Sequence, residues 1–150
     1  MIACAPADPD SLDARVLVAE LDAALAAITG DSGASSFDAA DVRGPGAVFL
    51  VARTTDGAAC GCGALRPLPG HAGVAELKRM VARPGSGAGR VLLAALEAQA
   101  LALGYREVRL STRRVNGRAV DFYRRHGYVP IEGYGKYVGS AVSVCLGKRV

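Results

Sequence analysis

The sequence predicts an α/β fold (α+β) in which helices cover the faces of a mixed sheet. Segments rich in β-branched residues alternate with segments in which apolar residues recur at helical spacing. The first strand-like segments follow one another as hairpins, and the later ones are separated by helices. Hairpins make antiparallel neighbours and strand–helix–strand units make parallel ones, so one sheet should contain both. The length of 150 residues fits a single domain over residues 1–150.

The N-terminal half is predicted to contain one helix and three strands. Asp10 and Ser11 are residues that cap helices, and the apolar side chains that follow recur at helical spacing to about residue 29. The small, polar segment 30–46 reads as a loop with room for one helical turn. Strands rich in β-branched and apolar residues are then expected at 47–54, 58–68 and 74–83.

The C-terminal half is predicted to alternate helices with strands. The segment 89–105 is rich in Ala and Leu, and Gly104 ends it. A second helix is expected between Asn116, as its N-terminal cap, and Gly127. Strands are expected on either side of it, at 106–113 and 141–149, with an irregular segment at 129–137.

Composition narrows the classes of partner. The formal net charge is +4, aromatic residues make up 5% of the chain, and tryptophan is absent. This basic excess suits an anionic ligand but is too small to indicate nucleic acid, so we expect no nucleic-acid partner. No apolar run is long enough to cross a membrane, and no basic segment followed by an apolar stretch marks a secretory signal. A cytoplasmic location with no membrane contact is therefore expected.

The four cysteines give no sign of a metal site. Cys60 and Cys62 form a C-x-C pair, but a second pair of Cys or His at metal spacing is missing from the sequence. Because side chains alternate along a strand, both thiols are expected on the same face of the sheet. We interpret them as small core residues in a reducing compartment.

A glycine-rich stretch, GSGAG, precedes the first C-terminal helix. The N-terminus of a helix presents free N–H groups that suit phosphate, and glycines let the main chain approach an anion. A Walker loop would continue with Lys and Ser or Thr, whereas here Gly89 is followed by Arg90 and Val91. A Rossmann fingerprint would space its glycines differently and place an acid after the next strand. A nucleotide-phosphate binder is therefore not supported, and the loop alone leaves a phosphate cradle and a structural turn open.

The second helix of the C-terminal half decides between a phosphate cradle and a structural turn. Its sequence, NGRAVDFYRRHGY, has the pattern N-x-x-A-x-x-x-Y-x-x-x-G-Y and lies downstream of the glycine-rich loop. Together with AELKRM before the loop and LLAALEAQALALGY after it, this resembles the GNAT N-acetyltransferase superfamily over roughly residues 48–147. The resemblance implies a mixed, mostly antiparallel central sheet of six to seven strands flanked by about four helices.

The resemblance also implies acetyl-CoA as the co-substrate, without a metal. In that family the strand before the loop binds the pantetheine arm through its main chain, and here the matching residues are Met80, Val81 and Ala82. Asn116 would reach the pantetheine region. The residues whose main-chain N–H groups would bind the pyrophosphate are Gly85, Ser86, Gly87, Ala88, Gly89 and Arg90.

Two residues match catalytic positions of the family. Tyr123 would act as the general acid that protonates the departing thiolate, because a phenol stays protonated at neutral pH; the alternative is a tyrosine that packs in the core. Glu76 would take the proton of the amine directly or through water. Its alternative is an exposed strand carboxylate paired with Lys78 or Arg79.

Other residues take lesser parts in this interpretation. His71 and His126 are alternative bases, expected at the surface, and Tyr134 and Tyr137 are candidates for the acceptor cleft. The acceptor would be a small-molecule or peptide amine, chosen by segments 30–46 and 131–140, in a monomer or homodimer.

The glycine-rich loop departs from the family pattern. Pro84 stands where the family has Gln or Arg, and the loop is about three residues shorter than in close relatives. Pro84 donates no N–H group, so Arg83 or Arg90 would have to supply charge to the pyrophosphate. This departure motivates a second hypothesis, a non-catalytic GNAT fold that binds acyl-CoA or a partner protein.

Overall fold

The computed structural model describes the backbone of residues 1–150 and every side chain except that of Ser36. Seven strands form one sheet in the order β1-β2-β3-β4-β5-β7-β6. Their bounds are Ala3–Pro6 (β1), Val48–Arg53 (β2), Ala59–Pro67 (β3), Val74–Ala82 (β4), Glu107–Arg113 (β5), Val129–Ile131 (β6) and Ser143–Arg149 (β7). Strands β4 and β5 are parallel and all other neighbours are antiparallel, so the predicted mixed, mostly antiparallel sheet is confirmed.

Three α-helices accompany the sheet, one fewer than the resemblance implied. They are α1 (Leu12–Thr29), α2 (Ala88–Ala102) and α3 (Gly117–Arg125). Short 3-10 turns at Ala34–Ser36 and Ala39–Val42 occupy the polar segment where one helical turn was expected, and a third lies at Gly135–Tyr137. Small residues and glycines in those segments favour single turns over a longer helix.

Capping residues place the helix ends where the sequence indicates. The Ser11 side chain accepts a hydrogen bond from the Ala14 N–H at 3.4 Å, and Asn116 does the same for Ala119 at the start of α3. Gly104 follows α2 with φ 91°, a left-handed conformation that favours glycine. These local signals explain why helix positions could be predicted closely.

Two short strands escaped prediction, and both contain a proline. Pro6 ends β1, which pairs only with β2, and Pro130 lies in β6, which pairs only with β7. Both are edge strands, where a missing N–H does not break a ladder on both sides. Strands of this length gain their conformation from the neighbouring strand, so their own sequence carries little signal.

The core lies on both faces of the sheet. On one face α2 packs its buried leucines, among them Leu92 and Leu96, against Leu65 and Val108. On the other face α1 packs Ala14 and Leu17 against side chains that include Phe49, Val51, Cys62 and Ala64. No helix is long and apolar enough to span a membrane in the part of the chain that the structure describes.

A β-bulge corrects the expectation for the C-x-C pair. Ala52 pairs with Gly61 but Arg53 pairs with Ala59, so Cys60 is an extra residue that shifts the alternation of side chains. Cys60 therefore packs on the α2 face and Cys62 on the α1 face, and the prediction that they share a face was wrong. Burial raises the pKa of the Cys62 thiol to about 12, which keeps it protonated.

Candidate active site

The parallel strands β4 and β5 separate after a short contact. They pair only at Val74–Glu76 with Glu107–Arg109, which is three of the nine residues of β4. Beyond Glu76 and Arg109 the two strands have no paired residues between them, although both continue for several positions. The sheet therefore opens into a wedge whose walls are the facing edges of β4 and β5.

A bulge in β4 helps to open this wedge. Cys62 pairs with Val81 and Ala64 pairs with Lys78, so two residues of β4 oppose one residue of β3. Arg79, inside the bulge, has φ 52°, which is rare for a residue with a side chain. Its guanidinium binds the Asp22 carboxylate and donates to the Ser32 carbonyl at 3.3 Å. A bulge bends its strand, and here the bend begins where β4 leaves β5.

A cavity of about 390 Å³ occupies the wedge. Four residues that the sequence singled out line it together: Glu76, Met80, Asn116 and Tyr123. Tyr137 also lines it, as predicted for a cleft residue, together with side chains of α1 and of the segment after it. The described lining does not include Val81 and Ala82, which end β4, or residues 85–90, which form the following loop and the first turn of α2.

Tyr123 lies on α3 with its ring packed edge-on against its neighbours. The ring centroids are 5.2 Å from Phe122 and 5.6 Å from Tyr128. Burial raises the pKa of the Tyr123 phenol, so the group stays protonated. No described residue forms a hydrogen bond with its hydroxyl, which leaves the proton available for a bound molecule. The ring thus packs against the core, as the alternative of a core tyrosine predicted, and the residue also lines the cavity.

Glu76 is a buried carboxylate, with 2% of its surface exposed, so its reading as an exposed strand residue was wrong. Its Oε1 accepts a hydrogen bond from Arg66 Nε at 2.8 Å, and its Oε2 accepts one from the Tyr134 hydroxyl at 3.0 Å. Lys78 Nζ lies 3.8 Å from Oε1, whereas Arg79, the other expected partner, turns to Asp22 instead. Each carboxylate oxygen can accept a second hydrogen bond, so Glu76 keeps capacity for a proton donor in the cavity.

The remaining sequence candidates lie outside the cavity lining. Tyr134 is buried, is hydrogen-bonded to Glu76 and does not line the cavity itself. His71 is exposed, as predicted, with Nδ1 3.4 Å from an Arg109 nitrogen. His126 is half-buried against Phe122, with ring centroids 4.5 Å apart, so its surface placement was wrong in part.

Sequence reasoning missed Arg66, the closest cation to Glu76. A signal was present, because Arg66 and Glu76 are register partners across β3 and β4, which the short turn between them joins as a hairpin. Counting back from the turn pairs the two residues on one face. Lys136, which also lines the cavity, had no such signal because it lies in a segment without regular structure beyond one 3-10 turn.

The glycine-rich loop leaves a bare stretch of main chain before α2. Gly85 and Gly87 have φ of 76° and 73°, and a Cβ built on either would meet nothing within 4 Å. Ser86 Oγ accepts from the Ala88 N–H at 3.2 Å. The N–H groups of Gly87, Gly89 and Arg90 have no acceptor among the described residues. Free N–H groups at the start of a helix of 15 residues form an anion site, and the donor set fits a pyrophosphate.

Arg83 does not supply the charge that the shortened loop lacks. Its guanidinium binds both carboxylate oxygens of Glu20 on α1, at 3.0 and 2.8 Å, and donates to the Ala59 carbonyl. Arg90 is exposed in the first turn of α2 and remains the nearest candidate. Gly89 brings this turn close to α3, because a Cβ there would lie 3.3 Å from the Phe122 ring.

A mixed sheet split between two parallel strands, with a bare helix N-terminus after one of them, is the arrangement that the resemblance to the GNAT superfamily implied. Residues 17–128 match the Acetyltransferase (GNAT) family. The chain belongs to this family. It is therefore an acyltransferase of the acetyltransferase type, and its fold implies the use of an acyl-CoA.

Individual relatives agree with this assignment. The chain is 30% identical over 135 residues to an IAA acetyltransferase of Azospirillum brasilense, covering 88% of this chain and 87% of that protein. A Klebsiella pneumoniae structure assigned to the acyl-CoA N-acyltransferases is 28% identical, with a TM-score of 0.81 over 99% of this chain and 97% of that one. An acetyltransferase structure from Streptococcus agalactiae, 18% identical, has a TM-score of 0.78 over 99% and 98% of the two chains and supports the fold.

Proposed function

We propose that the whole chain, residues 1–150, forms one domain that transfers an acetyl group from acetyl-CoA to a primary amine by direct attack in a ternary complex. One observation carries the proposal. The cavity where β4 leaves β5 is lined by a carboxylate, Glu76, and a protonated phenol, Tyr123, while free N–H groups lie at the start of α2, which follows β4 along the chain. The chemistry of amide formation needs a base, an acid and a binding site for the thioester, and each has a candidate here.

The acetyl-CoA site is proposed along β4 and the loop that follows it. Acetyl-CoA supplies the activated acetyl thioester. The main chain of Met80, Val81 and Ala82 would bind the pantetheine arm, because this part of β4 has no strand beside it on the β5 side. Asn116 lines the cavity and would reach the same arm. The pyrophosphate would accept hydrogen bonds from the main-chain N–H groups of Gly85, Gly87, Gly89 and Arg90, which have no acceptor among the described residues. The N–H groups of Ser86 and Ala88 would join them once they leave their present acceptors, the Arg83 carbonyl and the Ser86 hydroxyl.

Proton removal from the amine is assigned to Glu76. An alkylammonium has no lone pair, so it must lose a proton before its nitrogen can attack the thioester carbonyl. Arg66 and Tyr134 fix the plane of the Glu76 carboxylate at the cavity wall, which orients its remaining lone pairs. Glu76 would take the proton directly or through one water molecule. A main-chain N–H near Val81 would stabilise the negative charge that develops on the carbonyl oxygen.

Proton delivery to the leaving group is assigned to Tyr123. As the new C–N bond forms, the C–S bond breaks and the sulfur leaves as a thiolate that needs a proton. The second proton that the acylated nitrogen loses would return the donor to its neutral form, directly or through water. The Tyr123 phenol is protonated, lines the cavity and has no described hydrogen-bond partner of its own. General acids of this kind contribute about 10²- to 10⁴-fold to the rate.

The experiment is a turnover screen with acetyl-CoA over primary amines, in which released thiol and acetylated product are measured separately. Tyr123→Phe should lower kcat by about 10²-fold or more while binding acetyl-CoA normally. Tyr105→Phe is the matched control, because the Tyr105 hydroxyl binds the Gly46 carbonyl away from the cavity. Equal kcat for Tyr123→Phe and Tyr105→Phe would remove Tyr123 as the acid.

Glu76→Gln tests the base in the same assay. Its rate should fall most at low pH, where the acceptor arrives as an ammonium ion and depends on a base. Glu132→Gln, at an exposed position, serves as control. If calorimetry shows binding of acetyl-CoA but no amine is turned over, a non-catalytic acyl-CoA-binding protein is favoured. The shortened loop is the reason for considering that alternative.

A further inference from the structure

The cavity carries more positive than negative side chains. Its lining includes two carboxylates, Asp31 and Glu76. Four cationic side chains also line it: Lys78, Arg79, Arg113 and Lys136. This excess lies in a concave and partly buried space, where charges are screened less than on an open surface. The wedge therefore favours a negatively charged group in the molecule that enters it.

The two carboxylates of the lining already have arginine partners. Asp31 lies 3.2 Å from an Arg113 nitrogen, and Glu76 lies 2.8 Å from Arg66, which is outside the lining. Arg79 is matched by Asp22. The lysines make up the rest of the lining charge, with Lys78 at 3.8 Å from Glu76, farther than Arg66. The lining as a whole therefore has two more cationic than anionic side chains.

Lys78 and Lys136 line the same cavity. Burial lowers the pKa of Lys78; the Glu76 charge opposes that shift, and the charges of Arg66 and Lys136 add to it. Lys136 reaches this volume from the segment before β7, beside Tyr137, whose ring centroid is 5.4 Å from its Nζ. The two ammonium groups thus approach the cavity from different elements, Lys78 from β4 and the exposed Lys136 from the segment before β7.

A buried hydroxyl faces the same part of the wedge. Ser111 follows Arg109 by two residues on β5, and Lys78 follows Glu76 by two on β4, so strand alternation puts both on the face of the last paired residues. Ser111 lines the cavity, and its buried Oγ has no hydrogen-bond partner among the described residues. A buried hydroxyl without a partner costs free energy, which a bound acceptor atom would recover.

These groups are not placed to serve the pyrophosphate. The free N–H groups of the glycine-rich loop follow Ala82, and Lys78 precedes Ala82 by four residues, roughly 13 Å of strand. Lys78 lies next to Glu76, the proposed base, and so on the side of the wedge from which the amine would enter. The charges of the two lysines therefore affect the binding of the acceptor.

We infer that the acceptor is a small amine that also carries a carboxylate, and that this carboxylate binds between Lys78 and Lys136 with the Ser111 hydroxyl as a further donor. The inference rests on the proposed amine acetylation and adds the class of acceptor. Charge-assisted hydrogen bonds from two ammonium groups hold the carboxylate and direct the amine toward Glu76. A cavity of about 390 Å³ that also receives the acetyl end of the thioester suits a small acceptor.

The test compares acceptors that differ only in charge. Amino acids are assayed beside their primary amides and their decarboxylated amines, with acetyl-CoA saturating. We expect kcat/KM to favour the carboxylate form by about 10- to 100-fold, mostly through KM. The preference should weaken at high salt, since Lys136 is exposed at the rim.

Lys136 allows a reversal of charge without disturbing the core. Lys136→Gln should reduce the preference for the carboxylate, and Lys136→Glu should invert it toward the decarboxylated amine. Arg125→Gln removes one charge from an exposed site outside the cavity and should leave the preference intact. Lys78→Met and Ser111→Ala should each raise KM for the carboxylate form several-fold.

Different results would overturn the carboxylate site and the proposed acetyltransferase function. Turnover of amides and decarboxylated amines as fast as of the amino acids would overturn the carboxylate site while the acetyltransferase proposal stands. An unchanged preference in Lys136→Glu would also overturn it. Binding of acetyl-CoA without turnover of any amine, charged or neutral, would overturn both.

Discussion

The Tyr134 hydroxyl donates a hydrogen bond to Glu76 Oε2 at 3.0 Å, and 4% and 2% of the two residues' surfaces are exposed. Arg66 Nε holds the other oxygen of the carboxylate at 2.8 Å. The proposed base is thus positioned from two sides, by β3 and by the segment between β6 and β7. Burial, followed by the nearby Glu76 charge, raises the pKa of Tyr134, so the phenol remains a donor.

Tyr134→Phe should destabilise the protein by about 1–3 kcal/mol, because it leaves a buried carboxylate oxygen without its donor. The measurement is the free energy of unfolding in urea. Tyr105→Phe is a matched control, since the Tyr105 hydroxyl donates to the Gly46 carbonyl at a half-buried site. Tyr105→Phe should lower the free energy of unfolding by less than Tyr134→Phe does. The reverse order would show that the Tyr134–Glu76 hydrogen bond does not stabilise the protein more than the Tyr105–Gly46 bond. The rate of acetylation should also fall in Tyr134→Phe as the carboxylate gains freedom.

Three tyrosines, two buried and one partly buried, predict how the native protein titrates at alkaline pH. Burial raises the pKa of Tyr123, Tyr128 and Tyr134 above the ordinary value of ~10. Phenolate absorbance should therefore rise less at about pH 10.5 in the native protein than in the unfolded chain. The unfolded chain loses protons first, so stability should fall as pH rises above ~10. A native titration with all midpoints near 10 would contradict the burial of these rings.

The same shift sets the alkaline side of the rate profile. If Tyr123 is the acid, kcat should show no loss from tyrosine ionisation below about pH 10. Tyr123→Phe should lower kcat by a similar factor across that range. A loss of wild-type kcat with a midpoint near 9, absent in Tyr123→Phe, would mean that the phenol ionises too early for this role.

The conformation of Gly87 predicts the behaviour of the pyrophosphate loop. Gly87→Ala places a Cβ at φ 73°, where a side chain costs about 1 kcal/mol, although the space around it is open. The loop should relax away from its present shape, and KM for acetyl-CoA should rise several-fold with kcat little changed.

Gly57→Ala is the matched control for that variant. Gly57 also has a left-handed φ, 88°, and open space around it, but it lies in the turn between β2 and β3. It should lower stability by a similar amount and leave KM unchanged. Equal KM in both variants would mean that the loop does not bind the coenzyme.

The parts of the fold that were predictable have local causes. Ser11 and Asn116 accept hydrogen bonds from helix N–H groups a few residues away, so their chemistry can be read from neighbouring letters. The strands β2 to β5 follow from runs of β-branched and apolar residues. Tyr123 and Asn116 belong to one short helix motif, and the structure brings both to the cavity with Glu76.

The parts that were not predictable depend on distant residues. Asp22 and Arg79 are 57 positions apart and meet because a bulge turns β4 toward α1. Glu76 accepts a hydrogen bond from Tyr134, which is 58 positions away. Bulges change which face a residue occupies, as Cys60 shows, and a single inserted position leaves no mark in composition or periodicity.

The Arg79–Asp22 pair leads to the last prediction. Arg79 is 8% exposed, its Nε has no partner among the described residues, and Asp22 is the carboxylate that balances its charge. Asp22→Asn keeps an oxygen acceptor but removes the negative charge, leaving a buried guanidinium uncompensated. Loss of one partner of a buried pair costs 3–5 kcal/mol, and because Asp22 is about one-third exposed we expect about 1–3 kcal/mol here.

The Asp22→Asn substitution should also affect the binding of the acceptor in the cavity. Arg79 forms the bulge of β4 and binds the Ser32 carbonyl in the segment over the wedge, so a looser Arg79 should raise KM for the acceptor. Unfolding in urea and steady-state kinetics measure the two effects. Glu20→Gln is the control, because its partner Arg83 is an exposed surface group, and little change in stability is expected there. If Asp22→Asn were as mild as Glu20→Gln, the buried pair would not be what holds the bulge in place.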